Sequence, residues 1–171
     1  YGAEVASPRV NLTALIQSIH VTYTAGARGW YAEAYPLWAF DAPKLWVAAK
    51  LLENRMANTA DLRRTWFARA YGPAADEMTA AYAQIEAAWK RDAIVGGKDQ
   101  FLRHFHDQRG ALVLSDEEIG AVSRSLVLAQ QILRDPTKDV AARRRQTWRL
   151  GQFIEAWDLY LSFRELVQAR R

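Results

Sequence analysis

Arg28-Gly29-Trp30-Tyr31-Ala32-Glu33-Ala34-Tyr35-Pro36 is the stretch on which the fold turns. A glycine turn precedes aromatic and small residues, and a proline closes the run, so residues 28–35 are predicted to form a β-strand. On a strand Tyr31, Glu33 and Tyr35 share one side, while Trp30 and Ala32 share the other. A single strand leaves its backbone N–H and C=O groups unsatisfied and must pair with something. Either residues 1–5 provide the neighbour, or strands outside this chain do.

On both sides of this stretch the patterning is helical. Leu12, Leu15, Ile16, Ile19 and Tyr23 recur at helical spacing, with Asn11 placed to cap and Gly26 placed to terminate. Ser7-Pro8-Arg9 before them reads as a loop. After the strand, Asp41 is placed to cap a helix entered through Pro43 and carrying Leu45, Ala49, Leu52 and Met56. Asn58 or Thr59 caps the next, with Leu62, Trp66 and Ala70 on one face. Tyr71-Gly72-Pro73 ends that helix and opens another, whose stripe is Met78, Ala81, Tyr82, Ile85 and Trp89.

Gly96-Gly97 marks a break, a short helix is expected over residues 98–106, and residues 107–114 read as an irregular connection. Ser115-Asp116-Glu117-Glu118 has the form of a capping box ahead of Ile119, Val122, Leu126, Ala129 and Leu133, and Asp135-Pro136 ends that helix. The last helix, over about residues 138–167, is apolar on several sides, which predicts burial. Trp89, Trp148 and Trp157 are assigned to core packing.

One strand among so many helices makes the chain mainly α. A strand, a Glu-bearing strand end and a following helix form one β/α unit, and a full (β/α)8 barrel needs about 250 residues. The 171 residues therefore suit the last one or two β/α units of such a barrel, over 1–57, followed by a helical C-terminal domain over 58–171. The opening Tyr1, in place of Met, fits an excised or mature piece whose remaining barrel lies upstream.

Composition narrows the classes. Half of the residues are apolar and seven are tryptophan, which excludes a disordered tail. The absence of cysteine excludes disulfide scaffolds and thiolate metal sites. No run approaches the ~20 apolar residues of a membrane span, so no membrane partner is expected. The net charge of +4 gathers late, in Arg143, Arg144, Arg145, Arg149, Arg164, Arg170 and Arg171. This reads as a solvated helix face and charged tail in preference to a nucleic-acid surface. His104, His106 and Asp107 lack a third ligand at suitable spacing, so no metal is expected, and no motif implies a cofactor.

The order and spacing of three segments carry a resemblance. They are residues 29–38 (GWYAEAYPLW), 41–52 (DAPKLWVAAKLL) and 71–78 (YGPAADEM). Together they resemble the C-terminal part of the glycoside-hydrolase-like family named domain of unknown function 4838, itself similar to the barrels of α-glucuronidases and β-hexosaminidases. The likeness covers residues 1–135 well and the last helix loosely, and it departs at Ala42, where the family often has Gly. It implies a (β/α) barrel, a carbohydrate substrate and secretion from bacteria. The parent protein would be the enzyme, and this piece alone would be inactive.

Barrel active sites gather at the C-terminal ends of strands, which singles out Glu33 as the candidate catalytic carboxylate. Glycoside hydrolysis uses two carboxyl groups, and the second is expected upstream; Asp41, the only nearby acid and a candidate substrate contact, suits helix capping better. Tyr31, Tyr35 and Trp38 are candidate sugar contacts because the C–H faces of sugar rings stack on aromatic side chains. Trp30 is assigned to the core. Arg28 is placed to bind a substrate carboxylate or to pair with Glu33, and Arg9 likewise with Glu4 or Glu33. The alternative to the hydrolase is a non-catalytic helical module for assembly, including a homo-oligomer through the apolar last helix.

Overall fold

The computed structural model describes residues 7–31, 38–95, 108–134 and 140–170. Of these residues 84% are helical and none forms a strand, so the chain is mainly α. Six α-helices occur among them: α1 (Leu12–Thr24), α2 (Trp38–Glu53), α3 (Thr59–Tyr71), α4 (Ala75–Val95), α5 (Asp116–Leu133) and α6 (Val140–Ala169). Of the predicted strand, residues 28–31 leave α1 as irregular chain, and the rest, with Glu33 and Tyr35, lies outside the described residues. The short helix expected over 98–106 lies outside them too.

Several helix ends follow from local chemistry. The Ser115 side chain accepts from Glu118 N (3.2 Å) while the Glu118 carboxylate accepts from Ser115 N (2.8 Å), completing the capping box. Asn58 Oδ1 accepts from Ala60 N and Asp61 N at 2.9 and 3.2 Å. Gly72 turns the corner between α3 and α4 at φ 56°, through a 3-10 turn over Gly72–Ala74. The Gln146 side chain of α6 lies where a Cβ at this position would project, so glycine serves both the conformation and the close approach.

Two helix starts depart from expectation. Asn11 occupies the N-cap of α1, but its side chain makes no capping bond. The Glu86 carboxylate of α4 takes that role, accepting from Thr13 N at 2.6 Å. Arg63 of α3 holds Glu86 at 3.1 Å and reaches Thr13 Oγ1 at 3.4 Å, so three helices meet at a negative charge set on the positive end of α1.

Helix α2 begins at Trp38, ahead of Asp41, so Asp41 is a first-turn residue paired with Lys44 at 2.6 Å and not the cap. Pro43 then falls inside the helix and offers no N–H to the Ala39 carbonyl four residues back. The Tyr82 hydroxyl of α4 donates to that carbonyl instead. Burial pushes the Tyr71 phenol up to about 12 and raises Tyr82 well above its ordinary value.

The core follows the predicted stripes of α4 and α5: Met78, Ala81, Tyr82, Ile85 and Trp89 are buried, as are Val122, Leu126, Ala129 and Leu133. Rings from four helices interlock. Phe40 meets Phe153 edge-on at 5.0 Å, and Tyr82 lies 5.0 Å from Phe153 and 5.2 Å from Phe67. Each such pair contributes about 0.5–1.5 kcal/mol beyond area burial.

On α2 the buried set is Phe40, Pro43, Val47, Ala48 and Leu51, whereas Leu52 and Met56 of the predicted face are exposed. The helix packs two ways, which one stripe cannot describe. Phe40 joins the main core, while Val47, Ala48 and Leu51 form a smaller cluster with Leu12 and Ile19 of α1.

Helix α6 is not buried all round either. Leu150, Phe153, Trp157, Tyr160, Arg164 and Val167, at alternating spacings of three and four, face inward. Trp148, Leu159 and Leu166 are exposed. The buried Arg164 donates to the carbonyls of Ala111 (3.3 Å) and Leu114 (2.8 Å) and to Asp116 (2.8 Å). One of the late arginines is thus a structural clamp and no part of a solvated face.

Candidate functional site

The N-terminal half of α2, the C-terminal half of α3 and the N-terminal half of α6 enclose a groove of about 570 Å³. Trp66 and Tyr71 of α3 are buried at its inner side, their rings edge-on at 5.6 Å. Their placement is dictated by the inward stripe of α3, which must pack on Tyr82. At the rim stand Trp38, 60% exposed, and Trp148, 65% exposed. Indoles that open to solvent are unusual for side chains that gain so much from burial.

The polar lining consists of Arg69, Arg149 and Gln152. Arg149 Nη1 donates to the Arg69 carbonyl at 3.4 Å, bringing the α6 guanidinium to the end of α3. Burial dominates the raised Tyr71 phenol, and the Arg149 charge partly offsets it. Such a groove offers flat apolar faces for a ring, together with the donors of two exposed arginines and of Gln152, which also donates to Glu155 at 3.1 Å.

The other predicted site residues are placed differently. Arg28 lines a separate cavity of about 620 Å³ beside the end of α1, with His20, Tyr23, Trp30, Arg55 and Met56. Its Nη1 donates to the carbonyls of Ala27 (3.0 Å) and Tyr23 (3.5 Å), closing the end of α1. The guanidinium stacks 5.0 Å from the Tyr23 ring, on which Arg55 also stacks at 4.3 Å. Arg28 and Trp38 therefore line different cavities.

Tyr31 is 88% exposed and lines neither cavity. Asp41, held by Lys44, lines neither as well. Trp30 packs against the small α1–α2 cluster, as assigned. The Arg9 guanidinium lies over the Trp89 ring at 5.5 Å. Glu33 and Tyr35, and also His104, His106 and Asp107, lie outside the described residues.

Of the groove residues the sequence pattern singles out Trp38, assigns Trp148 to the core and Arg149 to a basic helix face, and gives no signal for Arg69. One signal was present. Trp148 falls outside the inward series that begins at Leu150, so the α6 pattern itself points it outward.

No helix among the described residues is long and apolar enough to cross a membrane. No family model matches the chain, and comparisons with curated proteins and with solved structures found no match.

Proposed function

We propose that the chain is the C-terminal part of a carbohydrate-acting (β/α) barrel protein, with residues 1–57 completing the barrel and residues 58–171 forming a helical extension. In this reading Glu33 is the carboxylate at the strand end, and the Trp38 groove is where saccharide rings lie. The observation that carries it is the pair of half-open indoles, Trp38 and Trp148, on one groove that also offers Gln152 and two arginines. Stacking on indole faces, with a few directed polar groups, is the chemistry that a sugar ring requires. The resemblance of residues 29–52 and 71–78 to the hydrolase-like family supports the same assignment.

Glu33→Gln in the full-length protein is expected to lower turnover on its glycan substrate by about 10²–10⁴-fold, the usual worth of a general acid or base. Activity unchanged across a glycan panel would remove Glu33 from the account.

A second reading, an assembly module, is favoured by one observation: Trp148, Leu159 and Leu166 share the outer side of α6 and are all more than half exposed. A homodimer without glycan binding, seen by sizing and calorimetry, would prefer it.

A further inference from the structure

Resting on the saccharide reading above, we propose that the ligand of the Trp38–Trp148 groove is an anionic saccharide, whose carboxylate or sulfate is held by Arg69 and Arg149 while a ring lies on an indole. Among the described residues the charged side chains that line the groove are Arg69 and Arg149, and Glu155 stands just outside it, accepting from Gln152 at 3.1 Å. Four other arginines meet carboxylates: Arg63 with Glu86, Arg64 with Asp61, Arg91 with Glu118 and Arg164 with Asp116. Arg69 and Arg149, both exposed, form no such pair among the described residues, and Arg149 reaches the Arg69 carbonyl at 3.4 Å.

The planar guanidinium presents paired donors that match a carboxylate or sulfate edge. Arg69 also suits the negative end of α3, but that role uses its charge and leaves its outward donors unspent. A neutral sugar would need the indoles and Gln152 alone.

The test uses the full-length protein on an array of neutral, carboxylated and sulfated oligosaccharides, followed by calorimetry on those that bind. Binding confined to acidic glycans is expected, weakened at least tenfold in Arg69→Gln/Arg149→Gln and less in Arg69→Lys/Arg149→Lys, where charge remains but the fork is lost. A preference among the acidic probes separates carboxylate from sulfate. Circular dichroism confirms that the variants fold, as exposed positions should allow. Neutral glycans binding as well as acidic ones, or acidic binding that survives both glutamines, overturns this inference and leaves the saccharide reading intact. No glycan of any class binding overturns both.

Discussion

Where α5 meets α6, polar groups are knitted together. Arg164 clamps Ala111, Leu114 and Asp116, Tyr160 donates to the Ala111 carbonyl, and Arg91 holds Glu118 and the Val113 carbonyl. Along the α2–α3–α6 groove, by contrast, Trp38, Trp148, Arg69 and Arg149 stand open to solvent. Both regions hold aromatic rings and arginines, so composition does not separate them. Satisfaction does. A fold that pairs its polar groups so fully at one end has no stability reason to leave indoles and guanidiniums open at the other.

The sharpest way to break this contrast is Trp89→Ala. The ring is fully buried and its Nε1 donates to the Pro8 carbonyl at 2.8 Å, so a loss of about 3–5 kcal/mol in denaturant unfolding is expected. A loss below about 1 kcal/mol would mean that the packed region is looser than its geometry implies. Tyr82→Phe comes next. It removes one oxygen and leaves the Ala39 carbonyl without its donor, an expected cost of about 1–3 kcal/mol. An unchanged unfolding midpoint would show that water replaces the phenol. Trp38→Ala and Trp148→Ala mark the small end, each expected within about 0.5 kcal/mol of the parent stability. Should either cost more than about 2 kcal/mol, the groove belongs to the core.

Much of the helical order was legible because its causes are local. The capping box at Ser115, the corner at Gly72 and the stripe from Met78 to Trp89 each depend on residues a few positions apart, and each forms as expected. What could not be read depends on distant partners. Asn11 sits where a cap belongs, but Glu86 arrives from α4 and displaces it. Helix α2 reaches back to Trp38, which turns Pro43 from an opening residue into an interior one. The candidate site divides the same way. Trp38 lies in the aromatic stretch that drew attention first, whereas its groove partners come from α3 and α6 and meet only after folding. Residues 28–31 of the expected strand are irregular chain, and the rest, Glu33 with it, falls outside the described residues and belongs to the proposal.

The carbonyl of Ala39 also constrains how this protein can change. Proline at 43 and tyrosine at 82 act as lock and key across two helices: while the ring withholds an amide, the phenol is indispensable. Replace Pro43 first with alanine, and the restored amide supplies the Ala39 carbonyl, so phenylalanine at 82 costs less. In the reverse order the intermediate strands a desolvated oxygen. Descendants of this sequence should therefore lose the imino acid before the hydroxyl.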